Sequence, residues 1–354
     1  MSGQDVPSGS GHDCRFPVSH PTRRDWLRAT AGAMVGGSLV CGQEAFALGF
    51  VEPGKSKDPR LIVRSRRPVD LETPVEVFEE WRTPNDLFFV RSHLGEPAVD
   101  LRPWKIEVSG LVKKELALEP ADLRGFEQVS LPAVLQCAGN GRAFFAPTVP
   151  GVPWQKGAVG NATWSGVRLA DVLDRAGVTL NDGHVHLLGA DAPPHSKTPA
   201  YLRSITLDKA RDPSTLVATS MNGEPLSYLH GGPARLVVPG WTGNHWMKWL
   251  RKIVVAREEA PGAYMQTSYR ISRTPMPPGA DIKPADLIPL TWMNVKSLFA
   301  APTAGSRLVA GEHVLKGVAW TGEGHVTRVE VSLSPNSPWQ ATRLEGDDRP
   351  YTWR

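Results

Sequence analysis

The segment LPAVLQCAGNGR, residues 131–142, sets one thiol, Cys137, between an apolar run and a glycine-flanked asparagine. Glycines at 139 and 141 let the backbone around Asn140 take unusual angles and come close to a bulky ligand. A soft thiolate at such a place suits a polarizable metal, and Arg142 brings positive charge near it. A buried inert thiol and a catalytic thiolate are the other readings of the same residue.

Outward from Cys137, the other two cysteines, Cys14 and Cys41, lie in the first 47 residues. That stretch carries paired arginines, Arg23 and Arg24, an uncharged run from Ala29 to Gln43, and Ala45-Phe46-Ala47, an A-x-A cleavage signature. It reads as a twin-arginine export signal over 1–47. The run is too short and too rich in Gly and Ala to cross a bilayer stably, so no membrane span is expected once the signal is gone. A lipoprotein reading of Cys41 is disfavoured by Val40 before it. The expected location is the periplasm. Cys137 then stands alone in an oxidising compartment, without a partner for an internal disulfide.

The chain has 354 residues, 41% apolar and 21% charged, with 34 glycines and 32 prolines. This length allows two or three domains, and the Gly and Pro content favours strands and loops over a helical bundle. Forty basic residues against 36 acidic ones give a net charge of +4 with no Lys/Arg block. Nucleic-acid binding is therefore not expected; anionic small ligands are compatible.

Residues 48–75 read as a basic, Pro-containing lead-in, and 76–270 as short apolar strands alternating with turns. PWKIEVSGLV (103–112), HVHLLGA, ARLVVPG and RKIVVAR are strand candidates. VRLADVLDRAGV (167–178) places Val167, Leu169, Val172, Leu173 and Ala176 near one helical face, with Gly177 as a stop. His184 and His186 alternate in a strand and read as half-buried strand residues rather than a metal pair. A Pro-rich stretch near 275–290 reads as a boundary. Beyond it, alternating apolar and polar residues carry a β-sandwich signature.

Three more clusters hold chemistry. Arg91 and His93 share one face of a strand. His230 and Arg235 sit on a glycine-rich turn, and Lys248 stands among tryptophans.

The motifs FFVRSHL, LQCAGNGR, MNGEPL, HGGPARLVVPG and MKWLRKI, in that order, resemble the sulfite oxidase family of molybdenum enzymes, of the bacterial exported type. The resemblance implies an α+β, strand-rich chain. It implies a sulfite-oxidase-type molybdopterin domain over 76–285, then, over 286–354, the start of an immunoglobulin-like dimerisation sandwich. By motif match Cys137 ligates the metal of Mo-molybdopterin. Arg91, His93, Asp191, His230, Arg235, Met247 and Lys248 hold the cofactor, with Asp191 in a loop whose length departs from the family pattern. Arg91, Arg142 and Trp164 form the anion pocket, and Tyr269 is the active-site tyrosine.

A further pocket arginine belongs late in the family's sandwich, beyond Arg354. The site therefore lacks one positive charge, or the chain is a fragment. The implied reaction is oxidation of sulfite to sulfate, the implied assembly a homodimer. No C-x-x-C-H haem motif occurs, so electrons go to an external acceptor such as a c-type cytochrome. Nitrate or sulfoxide reduction, a sulfur-compound dehydrogenase, a Cys137–His230 hydrolase and a non-enzymatic anion-binding protein are the alternatives.

Overall fold

The computed structural model describes residues 57–97, 103–191, 193–277 and 280–354. The export signal expected over 1–47 lies outside them.

The described chain opens with a hairpin of β1 (Ile62–Arg66) and β2 (Val69–Glu72). β3 (Ile106–Gly110) and β4 (Leu116–Leu118) then begin one sheet, and β5 (Gln128–Gln136) and β6 (Val159–Arg168) begin another. β7 (His184–Gly189) and β8 (Leu202–Thr206) join the first sheet. β9 (Leu216–Met221), β10 (Glu224–Pro225) and β11 (Arg235–Val237) join the second, and β12 (Leu250–Ala256) returns to the first. The first sheet runs β4-β3-β12-β7-β8, with only the β3–β12 pair parallel. The second runs β10-β9-β6-β5, and β11 also pairs with β9.

One apolar core serves both sheets. The helix Leu169–Ala176 follows β6 and seals part of it. Leu169, Val172, Leu173 and Ala176 are all buried, and Gly177 ends the helix at φ 70°, as the sequence pattern predicts. Each large side chain so buried contributes about 1.5–3 kcal/mol. His184 and His186 lie half-buried on β7, and His186 Nε2 contacts the Glu258 carbonyl at 2.8 Å.

Two features position the site. The first is the β5–β6 ladder, an unbroken antiparallel register from Gln128↔Val167 to Gln136↔Val159. Cys137 extends it by one bond, its N–H donating to the Ala158 carbonyl at 2.9 Å. The chain then turns sharply: Asn140 N–H donates to Cys137 O at 3.0 Å, and Gly141 takes φ 95°. Only glycine adopts that angle without strain. The Arg142 guanidinium lies over Gly139, 2.8 Å from where a Cβ would stand.

The second is the lead-in. It reads as a polar approach in sequence, yet its hairpin is built into the fold. Val69 and Leu71 join Leu61, Val77, Leu87, Val90 and Leu229 in a small separate core. Strand alternation turns Asp70 and Glu72 the other way, each only 1% exposed. Leu71 and Val90 exchange both backbone bonds at 2.9 Å, fixing the chain just before Arg91.

After the first sheet closes, β13 (Arg270–Ser272) pairs with β14 (Leu287–Pro289), β15 (Lys296–Ala301) with β16 (Lys316–Trp320), and β17 (Glu330–Val331) with β18 (Gln340–Ala341). The strand texture expected after 290 is present, as two-stranded pairs. Met293, Ala300, Val318, Trp320 and Trp353 pack with Phe78, Val134 and Val159, so this region rests on β5 and β6. Trp353 donates its indole N–H to the Trp81 carbonyl at 2.7 Å.

Candidate active site

The ends of these elements surround a cleft of about 730 Å³, part of it open to solvent. Cys137 enters from the end of β5. Arg91 and His93 enter from the segment after β2's partner Val90, Lys248 and Trp249 from just before β12, and Tyr269 from just before β13. Asp191, His230, Arg235 and Met247 also line it. Residues far apart in sequence are thus brought to one cavity.

Arg91 is the most constrained cation near the thiol. Its Nη1 donates to both Asp70 carboxylate oxygens at 3.1 Å and to the Ser92 carbonyl at 2.9 Å. Burial works against its charge, but Asp70, Cys137 and Tyr269 outweigh that and raise its pKa above the ordinary value. Burial pushes Asp70 up as well, and Arg91 pulls it only part of the way back.

His93 receives two donors on Nδ1: Arg91 Nη2 at 3.2 Å and the Tyr269 hydroxyl at 3.1 Å. Nδ1 is therefore an acceptor, and Nε2 carries the proton. Burial, Arg91 and Arg203 lower His93 to about 4, so it is neutral at pH 7. Tyr201 stacks on its ring at 4.7 Å. Burial and the Cys137 charge push the Tyr269 phenol up, which keeps its hydroxyl protonated. Tyr269 has φ 55° and Trp249 φ 48°, so two residues with rare backbone angles line the same cleft.

The cleft also holds a second cationic group. Lys248 Nζ donates to Ser92 Oγ at 2.8 Å and Leu229 O at 3.0 Å. Burial lowers it to about 7, helped by Arg235. Arg235 donates to the His230 carbonyl at 2.9 Å and the Trp246 carbonyl at 3.2 Å, leaving Nε buried and unpartnered. Burial lowers Arg235 to about 9, and it remains charged at pH 7. Asp191 is pushed up to about 6 by burial against the pull of Lys248. Met247 is buried, and its sulfur lies 3.4 Å from where a Cβ on Gly189 would stand.

Two expected pocket residues do not reach the cleft. Trp164 points into the core from the middle of β6, fully buried, with its indole N–H on the Ala133 carbonyl at 3.1 Å. It is a layer behind, carrying the Arg235 guanidinium over its ring at 5.0 Å. Arg142 folds back across Gly139 and Gly151 and donates to the Val152 carbonyl at 3.2 Å. It acts on Cys137 as one nearby charge: burial raises the thiol, and Arg91, the Gly139 N–H and Arg142 pull it only part of the way back.

Other residues take part without having been expected. Tyr201 and Asn244 line the cleft, joined by the Tyr201 hydroxyl donating to Asn244 O at 3.0 Å. Trp154 is fully buried edge-on to Phe89, a wall residue, and its indole N–H has no partner. Its signal in the sequence was its place, at the end of the Gly/Pro-rich loop that Cys137 begins.

The donor set fits an anionic pterin cofactor. In the cleft lining Arg91, Arg235 and Lys248 outnumber the one carboxylate, Asp191, Arg235 Nε is unpartnered among the described residues, and a single thiol lines the same space. The comparisons agree. Residues 93–264 match the family model described as oxidoreductase molybdopterin binding domain, and 289–353 that of the Mo-co oxidoreductase dimerisation domain. Human mitochondrial sulfite oxidase is 37% identical over 314 residues, 84% of this chain and 56% of its own length. The Arabidopsis thaliana sulfite oxidase is 33% identical over 313 residues, covering 83% of this chain and 79% of its own. The crystal structure of the sulfane dehydrogenase SoxCD from Paracoccus pantotrophus matches with a TM-score of 0.70 at 27% identity, over 89% of this chain and 79% of that one. This chain belongs to the sulfite oxidase family of molybdopterin oxidoreductases, and its cofactor is Mo-molybdopterin. It spans about half the length of the animal relatives it matches.

Proposed function

We propose that the protein oxidises sulfite to sulfate, and that Cys137 is the metal-ligating thiolate. The observation that carries this reading is the meeting of Cys137, Arg91, His93 and Tyr269 with Lys248, Arg235 and His230 in the lining of one cleft. When bound, Mo-molybdopterin supplies the oxygen-atom transfer and two-electron chemistry, with the oxygen coming from water.

The chain's own residues do the rest. Lys248, Arg235 and His230 hold the anionic end of the cofactor by charge-assisted hydrogen bonds, with Asp191 and the backbone at Met247 fixing its edges. Burial alone raises the Cys137 thiol, and its sulfur would bind the metal as the deprotonated thiolate. Arg91, held in place by Asp70, presents positive charge to a small oxyanion, and Arg142 adds to the field. Tyr269 keeps its proton and shares it as a hydrogen bond with His93 Nδ1. Burial of Arg91 and His93 keeps the local dielectric low, which strengthens each of these contacts.

The Arg23-Arg24 signal supports export, with the periplasm as the working compartment. Electrons leave to an external acceptor of c-type cytochrome kind, and the dimerisation-domain match supports a homodimer. The likeness to a sulfane dehydrogenase supports a second reading, oxidation of a sulfane-sulfur substrate by the same groups.

The test is dye-coupled turnover of the holoenzyme with sulfite and with a sulfane-sulfur compound, for wild type and Cys137→Ser. Sulfite-dependent dye reduction by wild type alone is expected. Turnover surviving in the variant contradicts the role of Cys137, and turnover only with the sulfane compound selects the second reading.

A further inference from the structure

Lys57 lies at the start of the described chain, outside the residues that match the cofactor-binding family model. It is 6% exposed, and its side chain runs under the cleft. Its ammonium meets three acceptors: the Asn85 carbonyl at 2.5 Å, the Phe88 carbonyl at 3.2 Å and His230 Nε2 at 2.5 Å. An ammonium has three hydrogens and no lone pair, so this set uses it fully and makes each partner an acceptor. His230 Nε2 is thereby the unprotonated nitrogen, and its 3.3 Å approach to Asn85 O is a contact of two acceptors around one donor.

The His230 ring is held on its other sides. Phe88 packs against it at 5.5 Å and 84°, and Arg235 clamps its carbonyl at 2.9 Å. The imidazole lines the cleft, and among the described residues Nδ1 has no protein partner.

We propose that Lys57 is a positioning residue: by donating to His230 Nε2 it fixes the tautomer that presents Nδ1–H to the cofactor. This rests on the reading of the cleft as the Mo-molybdopterin site. His93, in the same cleft, shows the same device: Arg91 and Tyr269 donate to Nδ1 and leave Nε2–H as donor. In each case a donor to one ring nitrogen decides which nitrogen is left to donate. A neutral imidazole of the wrong tautomer would turn a lone pair toward an anionic ligand. The lead-in is then part of the cofactor site: it sends Lys57 to His230, and its hairpin sends Asp70 to Arg91 and Glu72 to the Gly157 N–H at 2.7 Å.

The experiment compares wild type, Lys57→Met and Lys57→Arg. The His230 tautomer is read by long-range nitrogen-15 NMR on cofactor-free protein. Molybdenum and pterin contents are measured on protein made with cofactor. Expected are Nδ1–H in wild type, a shift toward Nε2–H in Lys57→Met, and retained Nδ1–H in Lys57→Arg. Cofactor retention falls about 10–100-fold in the methionine variant and is restored by arginine. Nε2–H in wild type, or an unchanged tautomer in Lys57→Met, overturns the proposal even if the cofactor loads normally. If the methionine variant does not fold, the wild-type spectrum decides alone. A wild-type protein that never holds molybdopterin, with the tautomer as expected, instead overturns the reading of the cleft and with it the role given to Nδ1–H.

Discussion

Single side chains carry the chemistry here because each charged group is held by another that sequence inspection does not connect to it. Lys57 and Lys248 are both lowered to about 7 by burial, against about 10.5 in the unfolded chain. Between pH 7 and 10.5 the unfolded chain therefore binds more protons than the folded one, and stability rises with pH across that window. Asp191, raised to about 6, works the opposite way: the folded state holds the extra proton between 3.8 and 6, so its contribution falls as pH rises there. Thermal melts of cofactor-free protein are expected to show Tm rising from pH 7 to 9, with the rise reduced in Lys57→Met. A flat or falling profile contradicts the buried-cation account. A bound anionic cofactor neutralises the same groups and should weaken the dependence.

At the scale of elements, the strands fix where the cleft opens. β6 lies between β5 and β9, and its register against β9 shifts between Ser165 and Gly166. A Cβ on Gly166 would come within 2.1 Å of the Val217 carbonyl. Gly166→Ala must push β6 off β9 and, through the β5–β6 ladder, disturb Cys137. A loss of about 1–3 kcal/mol is expected in urea unfolding, together with reduced cofactor content. Full stability in this variant contradicts the packing. The strands of this region were legible because apolar periodicity is local: Ile106–Gly110, His184–Gly189 and Leu250–Ala256 fall where the alternation puts them. The direction of one residue within a strand was not. Trp164 was expected in the pocket, but β6 is covered on both edges and its Trp164 face turns to the core. Trp164 and Trp154 both lie one layer behind the lining, Trp164 against Trp246 and Arg235 and Trp154 against Phe89.

For the whole molecule, motif order in the sequence located most of the cleft: Cys137, Arg91, His93, His230, Arg235, Lys248 and Tyr269 meet there. The lead-in was not legible, because Lys57 and His230 are joined across 173 positions and no periodicity marks such a contact. Asp70 and Glu72 were hidden for the same reason: a buried carboxylate is recognised only by what it touches. The elements of two sheets thus meet at the cleft that holds one thiol, and the strands after residue 287 rest on β5 and β6 behind it.

The central claim is that this thiol binds the metal, and X-ray absorption at the molybdenum edge tests it most directly. Holoenzyme and Cys137→Ser protein are loaded alike and compared for sulfur neighbours of the metal. One sulfur fewer in the variant is the result expected; an identical sulfur shell in both contradicts it.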